Sequence, residues 1–147
     1  MTSTLGARPE TPWHLWVIGI VSLLWNFGGV FSYTMTALGS LDGMGFSAAE
    51  LDYFYGFPAW AVATWALGVW GCFFGSAALL LRSKWSVWLF GISIIGLLGT
   101  TYYQHVHTEL PVSMQTTAQY LFALAIWVIT FGLLFYASRM TRAGVLR

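Results

Sequence analysis

The sequence predicts an all-α membrane protein: one domain over residues 1–147, built as a bundle of four transmembrane helices with both termini cytoplasmic. Three observations predict it. Four segments, about residues 13–38, 57–81, 85–105 and 117–137, are apolar over lengths that match a ~30 Å hydrocarbon core, which a helix of about 20 residues crosses. Hydrophobic residues make up 58% of the chain and charged residues 7%, with mean hydropathy +0.71, far from a soluble domain's balance. All six Lys and Arg fall in the N-tail, the second connection and the C-tail. The other side holds Asp42, Glu50, Asp52 and Glu109 and no basic residue. Basic loops stay inside, so Arg82, Lys84, Arg139 and Arg142 act as topology anchors.

Residues Met1 to Pro12 read as a short polar tail whose charges are Arg8 and Glu10. The first span, 13–38, has a signal peptide as its rival reading, with Ala37-Leu38-Gly39 as a faint cleavage site. Its apolar part is about twice the usual 7–15-residue core of a signal, and its basic flank is weak. A retained helix is therefore expected.

The longest loop, 39–56, carries Asp42, Glu50 and Asp52. Ser47-Ala48-Ala49-Glu50 has capping-box spacing, which predicts a short interfacial helix over about 47–56. The acids read as solvated loop charges rather than a cation site.

The second span, 57–81, organises the rest. It is uncharged, and Thr64 and Ser76 are its only hydroxyls. Pro58 suits a first helical turn, where its missing N–H costs nothing. Tyr53, Phe54, Tyr55 and Trp60 form an interfacial aromatic belt. Arg82-Ser83-Lys84 is a tight turn, so the second and third spans are antiparallel neighbours. The third span ends near His105, a polar loop with Glu109 and Pro111 follows, and the fourth span precedes Arg139, Arg142 and Arg147.

An internal match runs through the chain. Trp13, Trp16, Gly19 and Ile20 share spacing with Trp85, Trp88, Gly91 and Ile92. Trp70, Phe74, Gly75 and Arg82 share spacing with Trp127, Phe131, Gly132 and Arg139. These matches predict two tandem hairpins related by an axis along the membrane normal. The alternative is that interfacial belts place tryptophans alike in any membrane protein.

Each span also has a face of small or polar residues, the type that brings helices together in lipid. They are Gly19, Ser22, Asn26, Gly29 and Tyr33 on the first and Thr64, Gly68, Gly71 and Gly75 on the second. The third has Ser93, Gly96, Thr100 and Tyr103; the fourth has Gln119, Ala123, Thr130 and Ala137.

Several chemistries are excluded. No Asp, Glu, Lys, Arg or His lies at mid-membrane, where proton relays and voltage sensors need one. A net charge of +1 argues against nucleic-acid binding. The single cysteine, Cys72, cannot close an intramolecular disulfide or a Cys-x-x-Cys pair and reads as a packing residue. His14 lies at one membrane surface and His105 and His107 at the other, so no pair faces across a haem. His105, His107 and Glu109 make a weak metal candidate, because positions two apart share a face only in extended chain. Phosphate loops and Ser/His/Asp patterns are absent. The expectation is a protein that is not an enzyme, with no catalytic residues and no cofactor.

One asymmetry points to a ligand. Polar and aromatic residues crowd the outer half, and they predict an outward-facing cup lined by Asn26, Tyr33, Trp60, Thr64, Trp65, Tyr103, Gln104 and Gln119. Asn26 forms its floor, about 10 Å below Tyr33 at 1.5 Å per residue. Such a lining suits a neutral, amphipathic ligand. The plainer reading is interfacial residues and helix–helix hydrogen bonds, with Asn26 partnered across an interface.

Phe54-Tyr-Gly-Phe-Pro-Ala-Trp60, Ala66-Leu-Gly-Val-Trp-Gly71, Gly75-Ser-Ala-Ala-Leu-Leu-Leu-Arg-Ser-Lys84 and the stretch Ile126 to Met140 resemble a family of small four-helix inner-membrane proteins of proteobacteria. Some members are loosely labelled sugar transporters. The likeness spans Trp13 to Arg147 and lies in segment texture. It implies a bacterial inner membrane, a periplasmic setting for the acidic loops, and no functional residue. The resulting expectation is an accessory or ligand-binding bundle that works as a homo-oligomer or in a larger membrane complex. The alternative is a transporter of small neutral solutes such as sugars.

Overall fold

Each long helix stops where the chain can turn sharply, and these stops set the architecture. The computed structural model describes residues 9–147. Its elements are α1 (Trp13–Ala37), α2 (Ala48–Tyr55), α3 (Ala59–Leu80), α4 (Trp85–Tyr102) and α5 (Thr117–Arg142). A π-helical turn, Tyr103–His107, continues α4, and a 3-10 turn, Val112–Met114, precedes α5. Four helices, α1, α3, α4 with its π turn, and α5, are long and apolar enough to cross a membrane. The chain is a multi-pass membrane protein with an all-helical fold.

Gly39 and Gly144 take left-handed backbone (φ 63° and 75°) just after α1 and α5. There Ser40 N–H reaches back to the Met35 carbonyl and Val145 N–H to the Met140 carbonyl, the six-to-one bond that closes a helix C-terminus. Arg82 does the same after α3, with φ 56° and Ser83 N–H donating to the Ala78 carbonyl at 2.8 Å. A side chain in that conformation costs about 1–2 kcal/mol.

The ends differ from expectation at three places. Pro58 is not inside the first turn of α3. It is the N-cap, with ψ 157°, and Phe57 before it packs into an aromatic cluster. The fourth helix continues past 137 to Arg142, where Ser138 and Thr141 hydroxyls bond to carbonyls four residues back. Arg139 and Arg142 complement the negative end of its dipole. The chain after α5 is not a free tail. Arg147 N–H donates to the Arg82 carbonyl and Lys84 N–H to the Arg147 carbonyl, both at 2.8 Å. Val145 and Leu146 are thereby buried with Leu15, Leu79, Phe90, Leu133 and Ala137. Together they plug the basic end of the bundle.

At the opposite, acidic end the predicted capping box of α2 is present. Ser47 Oγ accepts from Glu50 N–H, and the Glu50 carboxylate accepts from Ser47 N–H at 2.8 Å. Ser113 Oγ donates to the same carboxylate at 2.9 Å, which ties α2 to the loop before α5. These bonds, led by that from Ser47 N–H, hold the Glu50 carboxyl below its ordinary range. Tyr53, Phe57, Ala61, Tyr103 and Met114 form a second core cluster here.

Between the two ends α1 packs on α3, α3 on α4 and α4 on α5. The α3–α4 contact is backbone to backbone. A side chain added at Gly96 would strike the Gly68 nitrogen and the Thr64 carbonyl, and one at Gly71 would lie 2.9 Å from Ser93 Cβ. Gly75 holds the Phe90 ring and Gly99 the Thr64 side chain. Helices α1 and α5 approach least among the neighbours. They meet through a His14–Tyr136 hydrogen bond near the basic end and a Trp25–Phe122 ring contact, centroids 5.7 Å apart, farther along.

The two matched hairpins share local geometry but not packing. Trp70 stacks on Phe74 at 5.5 Å, and Trp127 on Phe131 at 5.7 Å. Gly19 and Gly75 abut Leu80 and Phe90, whereas their counterparts Gly91 and Gly132 face open space.

Candidate central cavity

The loose contact between α1 and α5 leaves a cavity of about 550 Å³ between the two core clusters. Leu24, Trp25, Gly28 and Gly29 of α1 and Phe122, Ala123 and Ile126 of α5 form two facing walls. Helix α3 contributes Trp65, Gly68, Val69 and Cys72, and α4 contributes Ser93, Leu97 and Thr100. Phe54, Met114, Gln104 and Gln119 border the acidic end. Most of this lining is apolar, and none of it is a charged residue.

Asn26 sets the cavity's polarity. Its Nδ2 donates to the Cys72 carbonyl at 3.2 Å and to Ser76 Oγ at 3.0 Å. A carbonyl can only accept, so the amide orientation follows: both N–H bonds point at α3. Asn26 is 8% exposed, and among the described residues its Oδ1 has no partner. That oxygen is the group the side chain leaves to the cavity.

The neighbouring hydroxyls are spoken for as donors. Ser93 O–H donates to the Gly68 carbonyl at 2.7 Å, so the contact of 2.8 Å with Cys72 Sγ has the thiol as donor. Thr130 O–H donates to the Ile126 carbonyl and Thr100 O–H to the Gly96 carbonyl. A hydroxyl whose proton is used retains lone pairs. Around Asn26 the amide and these hydroxyls therefore offer acceptors, while Ser32 and the indoles of Trp25 and Trp65 elsewhere in the lining carry donors.

Of the predicted cup residues, Asn26, Trp65, Gln104 and Gln119 line this cavity. Tyr33 lines a smaller pocket of about 110 Å³ with Thr36, Phe54, Phe57 and Trp65; its ring meets Trp65 edge-on at 5.5 Å. Trp60, Thr64 and Tyr103 lie elsewhere. Trp60 packs against Tyr102, Tyr103 and His107. Thr64 O–H donates to the Ala61 carbonyl, and its methyl sits against Gly99 in the α3–α4 contact. Tyr103 is buried against Phe57 at 4.5 Å and reaches the Gly56 carbonyl. Thr64 is thus taken up by the α3–α4 contact and Tyr103 by the aromatic cluster, while their neighbours Trp65 and Gln104 reach the cavity.

The cavity also holds residues not expected there. Cys72, Ser93, Thr100 and Thr130 read as packing residues, and Trp25 and Phe122 carry no assignment from the sequence. The available signal was depth: Cys72, Ser93 and Thr130 lie near the middle of their spans, level with Asn26, and a mid-membrane amide needs polar neighbours.

The weak metal candidate does not assemble. Its chain is helical rather than extended, so His105 turns to Tyr120 and His107 to Trp60 and Tyr103. Among the described residues no three His, Cys, Asp or Glu side chains could share a metal ion. Near the acidic border, Tyr53 OH is buried without a hydrogen bond, with the Gln104 side chain beside it, and burial raises its phenol above the usual range.

Comparison with protein-family models, curated proteins and solved structures gives no match. The reading of the site therefore rests on its geometry.

Proposed function

We propose that this chain is a non-enzymatic ligand-binding bundle of a bacterial inner membrane that holds one uncharged, amphipathic molecule between α1 and α5. The observation that carries this reading is Asn26, a buried mid-membrane amide with both donors spent on α3 and its oxygen left to a 550 Å³ cavity. Pockets of roughly 300–1,000 Å³ with mostly apolar walls and a few placed polar groups are the usual form of small-molecule sites. No charged residue lines the cavity, which favours a neutral occupant, since an unpaired charge there would cost several kcal/mol.

The orientation supported by the charges has both termini in the cytoplasm. Arg82, Lys84, Arg139, Arg142 and Arg147 gather at one end, and Asp42, Glu50, Asp52 and Glu109 at the other. The plug of Val145, Leu146, Leu15 and Phe90 closes the basic end. A solute carrier would have to open that plug, whereas a binding component, alone or as accessory to larger partners, need not.

Native mass spectrometry of the full chain released gently from its own membrane tests this reading. A small uncharged molecule should accompany the wild type and Gly132→Ala, and be lost from Asn26→Leu. A fixed protein partner with an empty cavity would favour a purely accessory role and contradict the ligand reading.

A further inference from the structure

We infer that the cavity selects for hydrogen-bond donors: its occupant is an uncharged, bilayer-dissolved molecule bearing a hydroxyl or N–H on an otherwise apolar body. This rests on the binding reading above and adds to it the sign of the recognition.

The inference follows from a donor count. Asn26 uses both N–H bonds on Cys72 O and Ser76 Oγ. The Cys72 thiol donates to Ser93, and Ser93, Thr100 and Thr130 donate to backbone carbonyls. What these groups leave around Asn26 is its own Oδ1 and hydroxyl lone pairs. A ligand carbonyl or ether would face these acceptors with nothing to exchange, leaving polar groups unpaired on both sides. A phenol, alcohol or amide N–H would satisfy Asn26 Oδ1 directly. Gln104, Gln119 and Ser32 can both donate and accept, and the Trp25 and Trp65 indoles only donate, so the discrimination lies at Asn26 and the hydroxyls beside it.

The route in is lateral. Phe54 and Met114 lie across the acidic end of the cavity and the apolar plug closes the basic end. Between α1 and α5 the wall at this depth is bridged by Trp25 and Phe122, which are 38% and 51% exposed. A molecule dissolved among lipid tails meets that pair before it meets any polar group, and a water-soluble one does not.

The test uses the full chain in lipid nanodiscs, with 4-octylphenol and its methyl ether as probes, each corrected for partition into empty discs. The two differ by one donor. The phenol should bind more tightly by about three- to thirty-fold, the range of a membrane hydrogen bond. Asn26→Leu should abolish the preference. Because that variant also removes bonds to α3, Thr100→Val with Thr130→Val provides a second reading. Both hydroxyls donate within their own helices, and the contact of Thr130 with another helix is a long one of 3.7 Å to Cys72 Sγ, so this protein should fold and show a reduced preference. Equal binding of phenol and ether would overturn the donor rule while leaving a ligand cavity. Binding of neither would overturn both readings. Displacement of the phenol by glucose would contradict the bilayer source.

Discussion

Helices α3 and α4 touch backbone to backbone, whereas α1 and α5 stand apart around a cavity, although both pairs carry glycines at mid-membrane. The difference lies in what opposes each glycine. Gly68 and Gly71 meet Gly96 and Ser93, so small faces interlock at the centre of the contact, and Gly75 seats the Phe90 ring beside them. Gly28 meets nothing within 4 Å, and Gly29 meets only Val69 of α3. Across the gap α5 presents Phe122 and Ile126. Small residues bring backbones closest in lipid where both faces are small. Where one face is bulky, the same glycine makes room instead.

The largest expected effect breaks the close pair. Gly96→Ala places a methyl against Gly68 N and the Thr64 carbonyl, neither of which can yield. It should lower stability by about 1–3 kcal/mol, measured as reversible unfolding in mixed micelles. Gly132→Ala, with open space around it, should change stability by less than about 1 kcal/mol, in the stabilising direction set by helix propensity.

Asn26→Leu comes next, on the α1–α3 seam. It removes two interhelical hydrogen bonds and should cost about 0.6–2 kcal/mol, less than Gly96→Ala at its upper range, while ligand binding is lost. Filling the open half reverses the sign. Gly28→Leu points a side chain into empty cavity and should stabilise by about 0.5–2 kcal/mol, the common yield of cavity filling, while it blocks binding. A variant that both stabilises and inactivates would separate the cavity's role from the fold's.

The fold was legible where one residue type decides the outcome. The capping box of α2, the four spans and the tight Arg82–Lys84 turn follow from spacing and apolar length alone. The end of the chain was not read, yet Gly144 followed by Val145 and Leu146 is a helix stop with its hydrophobic partner. From the sequence, the basic residues around it serve only to orient the C-tail. The site was legible by composition but not by direction. Asn26, Trp65, Gln104 and Gln119 reach the cavity, while Trp60, Thr64 and Tyr103 turn away, because each helix's rotation is set by glycine contacts with its neighbours. Those contacts are pairwise, and a single helix does not reveal them.

The smallest effect concerns the acidic end, which joins α2 to the loop before α5. Glu50 has its pKa lowered in the folded protein from 4.5, so its contribution is present above that value and is lost as pH falls through the lower, folded one. Hydrogen exchange at Ser47 and Glu50 should therefore quicken, relative to the intrinsic rate, only as the pH falls below 4.5. Exchange in α3 and α4 should keep its protection. Ser113→Ala should leave the capping box intact and loosen only the tie between loops.

The contrast between a closed and an open half is tested most directly by photolabelling. An alkylphenol carrying a diazirine is photolysed with the wild type in nanodiscs, and its adducts are mapped by mass spectrometry. The account predicts adducts at Trp25, Asn26, Phe122 and Ile126 that unlabelled 4-octylphenol suppresses. Adducts spread over lipid-facing positions such as Leu98 and Val128, unaffected by competitor, would contradict it.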